Sequence, residues 1–80
     1  MHEWLVRAVE RLAAETGATT GELALTQAEI DELLELARVA AHESGERINA
    51  PLVSYLVGLA RGRHGGDLES VIDAVVGKPI

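Results

Sequence analysis

The side chains with the chemistry of a catalytic or binding site cluster near the middle of the chain. His42 follows Arg38 by four residues, a spacing that places both on one face of a helix. A hairpin with the next helix would bring His42 near Ser54 or Tyr55, and a His–Ser pair suits nucleophilic catalysis. The sequence identifies neither an oxyanion site nor a group to orient His42. We therefore expect a solvated polar stripe without catalytic residues, and predict that the chain is not an enzyme.

A local basic cluster, Arg61, Arg63 and His64, lies beside the predicted start of the last helix of this acidic chain. Glycines and arginines at a helix N terminus bind phosphates or carboxylates in many proteins. The sequence has no glycine-rich nucleotide-binding motif, so ordinary chemistry of a helix C terminus is the preferred interpretation. Five residues are candidates for the polar edge of a pocket, or for binding a small anion such as a cofactor phosphate. They are Arg38, His42, Tyr55, Arg61 and Arg63.

The histidines of the sequence do not have the spacing of metal ligands. His2, His42 and His64 are far apart, and none belongs to an H-x-x-x-H or E-x-x-H pair. A zinc or di-iron site requires closer ligands or several convergent helices. The chain has no cysteine, which excludes disulfides and thiolate sites. We predict no metal and no cofactor.

The overall charge restricts the possible partners. The chain has 13 acidic and 7 basic residues, a net charge of −6. Such a chain repels phosphate backbones and anionic membranes, so nucleic acid and membrane partners are disfavoured. We find no signal-peptide pattern and no apolar run long enough to cross a bilayer. A cytoplasmic location is expected.

The elements that must position these residues are helices. Apolar residues recur at helical spacing, and Thr26 with Glu29 forms a capping box at one helix start. Gly17 and Gly45 are expected helix stops, and residues 17–25 are predicted to be a connection. The sequence predicts one domain over residues 1–80, all-α, a compact antiparallel bundle of four helices. The predicted helices cover about residues 2–16, 27–44, 51–64 and 67–76.

Helical periodicity also assigns apolar faces to the predicted helices. In the first helix this face is Leu5, Ala8, Val9, Leu12 and Ala13. The core face of the 27–44 helix is predicted to consist of Ile30, Leu33, Leu34, Ala37, Ala40 and Ala41. In the 51–64 helix, Ala50 is the expected N-cap before Pro51. One side of that helix carries six apolar residues, Leu52, Val53, Leu56, Val57, Leu59 and Ala60.

The opposite side of the 51–64 helix is a row of small residues, Ser54, Gly58 and Gly62. A glycine inside a helix costs about 1 kcal/mol relative to alanine, so close approach of another backbone is expected to offset it. That backbone belongs either to another helix of the chain or to a partner or second copy. Trp4, at the border of the first apolar face, is either a rim residue or an interface anchor. The partner-interface candidates are thus Trp4, Ser54, Gly58 and Gly62.

A longer pattern resembles a known family. It comprises Leu36-Ala37-Arg38, Ala41-His42, Ala50-Pro51-Leu52, Tyr55-Leu56, Gly58 and Gly62-Arg63, after an opening His2-Glu3-Trp4-Leu5. The pattern is similar to a small actinobacterial domain family of unknown function. Its members occur alone or fused behind nucleotidyltransferases of the molybdopterin-guanine dinucleotide type. The resemblance implies a non-catalytic accessory or interaction domain associated with molybdenum-cofactor biosynthesis or molybdoenzyme maturation, with a protein partner or homo-oligomer. The alternative is a domain that binds a small anionic ligand or cofactor at the junction of the 27–44 and 51–64 helices.

Overall fold

The computed structural model describes residues 1–77, and this part of the chain is all-helical with no strand. Its helices form a compact globule of 37 × 25 × 20 Å. They are α1 (Glu3–Thr16), α2 (Thr20–Leu23), α3 (Gln27–Ser44), α4 (Asn49–His64) and α5 (Leu68–Val76). The predicted all-α fold with four long helices is confirmed. The single-turn helix α2 lies within residues 17–25, where the sequence predicts a connection.

Local hydrogen bonds explain where the helices begin. The Thr26 hydroxyl accepts from the Glu29 N–H at 3.1 Å, and the Glu29 carboxylate accepts from the Thr26 N–H at 2.8 Å. This is the predicted capping box of α3. Thr19 and Glu22 make the same pair of bonds at the start of α2. The T-x-x-E pattern at residues 19–22 was therefore the signal for the helix missing from the prediction.

The start of α4 differs from the prediction. The helix begins at Asn49 rather than near residue 51, and its N-cap is Ile48, which makes no side-chain cap bond, rather than Ala50. Turn bonds from the Asn49 and Ala50 N–H groups to preceding carbonyls extend the helix backwards. Pro51 then lies in the first turn, where its missing N–H has no intrahelical partner to lose.

The core joins α3, α4 and α5. It consists of Leu36, Val57, Leu68 and Ile72. Leu36 is fully buried, whereas Leu34, predicted for the core face, is 65% exposed. The two side chains point about 160° apart around α3. The prediction for Leu34 is wrong because α3 packs against two helices, α4 and α5. Both of them lie on the side of α3 that carries Leu36.

The first two helices pack differently from the last three. Among the described residues, α1 has close backbone contacts with α2 and none with α3, α4 or α5. Ala13 is the buried apolar residue of this pair, and Leu12, predicted for the α1 core face, is exposed. The chain therefore combines a small α1–α2 pair with a three-helix unit that contains the main core.

Candidate docking surface

The α4 helix carries apolar side chains around most of its circumference. Residues 50–60 include no charged side chain. Val57 is buried in the core, and Val53 packs against that core. A helix that is apolar all round is normally covered all round. In the described chain, α3 and α5 are the helices that contact α4, so one side of it stays open.

The open side of α4 forms a stripe that we call the α4 outer face, made of Ile48, Leu52, Tyr55 and Leu56. The exposed fractions of the last three are 57%, 68% and 58%. Their spacing of three and four residues places them next to one another on a helix. Adjacent large apolar side chains that remain exposed typically mark an interaction site. Of the six apolar residues on the predicted apolar side, Leu52 and Leu56 are therefore exposed, whereas Val57 is buried.

A shallow groove continues this surface towards α3. Its volume is about 420 Å³, and Leu52, Leu56, Ala40 and Asn49 are among its lining residues. Because Leu52 and Leu56 belong to both features, the groove and the α4 outer face form one continuous surface.

The row of small residues borders the same open side. Gly58 and Gly62 are exposed, and a Cβ atom added at either position would meet nothing within 4 Å. Of the two alternatives for the backbone that approaches Gly58, another helix of this chain is therefore wrong for the described residues. The reason is angular, since α4 packs through Val57, about 100° around the helix from Gly58. The Ser54 hydroxyl donates to the Ala50 carbonyl of its own helix at 2.9 Å.

The structure does not join His42 to its suggested partners. His42 is exposed on the last turn of α3. Among residues 1–77, no hydrogen bond connects it to Ser54 or Tyr55, and the Ser54 hydroxyl is engaged with its own backbone. The geometry of a base activating a nucleophile, which needs contact at about 2.6–3.2 Å, is not present between these side chains.

Two of the candidate anion-binding arginines have carboxylate partners within the chain. Arg38 donates two hydrogen bonds to Glu35, at 3.0 and 2.6 Å, and these bonds raise the pKa of the guanidinium above its ordinary value. Arg61 lies 3.6 Å from the Glu29 carboxylate and donates to the Gly66 carbonyl at 3.2 Å. Arg63 is exposed on the same last turn of α4 as Arg61.

Trp4 belongs to a different region from the other interface candidates. It lies on α1, is 69% exposed, and borders a small hollow shared with Arg7, Ala8 and Arg11. Because α1 has no close backbone contact with α4 among the described residues, Trp4 is not part of the α4 outer face.

The described residues show neither a cluster of metal ligands nor a membrane-spanning helix. Residues 1–77 contain no group of three or more His, Asp or Glu side chains arranged to hold a metal ion. Within the same residues, every helix is too short or too polar to cross a membrane.

Comparison with known proteins places this all-helical domain in a family. The family model described as "Domain of unknown function (DUF6457)" matches residues 1–78, and the chain belongs to that family. The predicted resemblance to a family of unknown function is confirmed to this extent. No curated protein and no solved structure matches the chain.

Proposed function

We propose that this chain is a non-catalytic accessory domain that docks onto a protein partner through the α4 outer face. The observation that carries the proposal is the exposed stripe of Leu52, Tyr55 and Leu56 on a helix with no charged residue from 50 to 60. An apolar helix face with anchors three and four residues apart fits the hydrophobic groove of another protein. Open positions at Gly58 and Gly62 allow a partner backbone to approach closely.

The sequence resemblance suggests the biological setting. It associates the domain with actinobacterial molybdenum-cofactor biosynthesis or molybdoenzyme maturation, next to a nucleotidyltransferase of the molybdopterin-guanine dinucleotide type. Several residues that carry the resemblance, namely Leu52, Tyr55, Leu56 and Gly58, lie on or beside the α4 outer face. A nucleotidyltransferase of this type is therefore the partner that we propose.

A binding site for a small anionic ligand receives less support. Arg38 and Arg61 already form ion pairs with Glu35 and Glu29. An anion would have to compete with these carboxylates, which are held within the same chain. We therefore rank this function second.

Calorimetric titration of the purified nucleotidyltransferase with the full chain tests the proposal. We expect the double variant Leu52→Ser/Leu56→Ser to bind at least about ten-fold more weakly, because truncating a central apolar anchor costs more than about 1 kcal/mol. The matched control is Leu12→Ser/Leu34→Ser, which removes two equally apolar, exposed side chains elsewhere. Equal weakening by both double variants, or no binding by the unmodified chain, would contradict the proposal.

Sedimentation of the chain alone distinguishes a second copy from a different partner. We expect the unmodified chain to sediment as a monomer at the concentrations used in the titration. A dimer that Leu52→Ser/Leu56→Ser converts to a monomer would assign the α4 outer face to a homo-oligomer instead.

A further inference from the structure

A second surface, separate from the α4 outer face, lies between α3 and α5. It is a groove of about 380 Å³ with an apolar floor of Val39, Ile72 and Val76. Carboxylates from both helices line it, and we call it the acidic groove. Its six acidic residues are Asp31, Glu32, Glu35, Glu43, Glu69 and Asp73.

The acidic groove accounts for the net charge of the whole chain. Of 13 acidic residues in the sequence, six line the groove, so the remaining seven balance the seven basic residues. No basic side chain lines the groove in the described part of the chain. Arg38 lies beside it, hydrogen-bonded to Glu35. A concave surface with one sign of charge attracts and orients a partner of the opposite sign.

The dimensions of the groove indicate the shape of the partner. Its α3 wall extends from Asp31 to Glu43, which corresponds to about 18 Å at 1.5 Å per residue. Three turns of a helix would fill that length. The apolar floor can take side chains that recur at positions i, i+3 or i+4, and i+7 on such a helix. The carboxylates of the two walls would then face basic residues on both of its flanks.

We infer that the acidic groove binds a basic amphipathic helical segment of a partner protein, with apolar side chains on Val39, Ile72 and Val76 and with Lys or Arg on both flanks. Charge complementarity selects this occupant, because nucleic acids and anionic membranes carry the same sign as the groove. The inference does not depend on the α4 outer face, since none of the residues that define that face lines this groove. Glu43, at one end of the acidic groove, is shared with the groove beside Leu52 and Leu56.

The test uses the ¹⁵N-labelled full chain and a synthetic amphipathic peptide of about 14 residues made of Leu and Lys. A peptide with Glu in place of every Lys keeps the same apolar pattern. We expect saturable amide shifts along the two groove walls with the Leu–Lys peptide and none with the Leu–Glu peptide. Binding should weaken as the salt concentration rises. Shifts confined to the α4 outer face, or no saturation up to about 1 mM peptide, would overturn the inference.

Two charge-matched triple variants separate the groove from general attraction to an acidic protein. Asp31→Asn/Glu32→Gln/Glu69→Gln removes three carboxylates that line this groove and not the one beside Leu52 and Leu56, and we expect about ten-fold weaker binding. The control Glu10→Gln/Glu15→Gln/Glu46→Gln removes three exposed carboxylates elsewhere and should change affinity by less than about two-fold. Equal weakening by both triple variants would overturn the inference and leave only nonspecific attraction. Backbone amide spectra establish that both variants are folded.

Discussion

The α1–α2 pair and the α3–α5 unit are held together by different forces. In the α3–α5 unit, each helix contributes to one core, and Leu36 at its centre is fully buried. In the α1–α2 pair, Ala13 is the buried residue and Leu12 is exposed. The start of α2 has a complete capping box at Thr19. Local capping signals thus define α2, whereas burial of apolar area holds α3, α4 and α5 against one another.

A small chain can thus leave apolar surface open while still forming a core. Eighty residues bury a modest fraction of their surface. Here the burial is concentrated on one side of α4, and its other side, the α4 outer face, stays exposed. Substitutions in the two regions should therefore have unequal effects.

The largest effect is expected from the centre of the core. Leu36→Ala should lower the free energy of unfolding by about 2–5 kcal/mol, because it removes buried methyl groups and leaves a cavity. Leu34→Ala, on the exposed side of the same helix, should change it by less than about 0.5 kcal/mol. Urea unfolding followed by circular dichroism measures both. Similar losses for the two variants would contradict the assigned core.

Removing each capping box should show how unequally the α1–α2 pair and the α3–α5 unit contribute to the stability of the chain. Thr26→Ala removes the N-cap of α3 and should lower the free energy of unfolding by about 1 kcal/mol. Thr19→Ala removes the same bonds from α2, which lies outside the main core, and should loosen only the α1–α2 pair. Amide hydrogen exchange resolves the two cases residue by residue. A global loss from Thr19→Ala as large as that from Thr26→Ala would show that the regions unfold as one.

Gly58→Ala tests whether the small-residue side of α4 is open in the free chain. A Cβ atom at this position meets nothing, so the gain in helix propensity should raise stability by up to about 1 kcal/mol. Gly45→Ala is the contrasting change, since Gly45 ends α3 with a φ of 74°, a conformation that costs a non-glycine residue about 1–2 kcal/mol. Thermal unfolding of both variants gives the comparison. Destabilisation by Gly58→Ala would indicate that another part of the chain closely contacts that position.

The smallest expected effect concerns the pH dependence of two capping carboxylates. Hydrogen bonds from the Ser70 N–H and hydroxyl lower the pKa of Asp67 below its ordinary 3.8. The Thr26 N–H, aided by Arg61, lowers the pKa of Glu29 below its ordinary 4.5. Both groups therefore stabilise the folded chain above those values, and this stability is lost as pH falls through the folded-state pKa.

Asp67→Asn should make the loss of stability between about pH 5 and pH 3 smaller, because asparagine keeps the cap without the titration. Ser70→Ala, which removes the hydroxyl bond to the same carboxylate but keeps its charge and its backbone bond, is the comparison and should reduce this loss only in part. Acid unfolding curves of the two variants and the unmodified chain give the answer. Identical profiles for Asp67→Asn and the unmodified chain would contradict the assigned role of this cap.

Much of the fold could be predicted because its signals are local. The capping box at Thr26, the cap at Asp67 and the glycine stops depend on neighbouring residues only. The burial of Leu36 could not be predicted, because it depends on two helices that pack from different directions. The α4 outer face had a readable signal, the absence of charge from residues 50 to 60. That signal alone does not reveal which side the rest of the chain covers.

The solvent accessibility of two aromatic side chains in the complex tests docking through the α4 outer face. Tyr55 on α4 and Trp4 on α1 are the only tyrosine and tryptophan, and their exposures of 68% and 69% match. Hydroxyl-radical footprinting of the chain, alone and saturated with the nucleotidyltransferase, compares them within one sample. We predict that Tyr55 becomes protected, together with Leu52 and Leu56, and that Trp4 stays as reactive as before. Protection of Trp4 with Tyr55 unchanged would contradict docking through the α4 outer face.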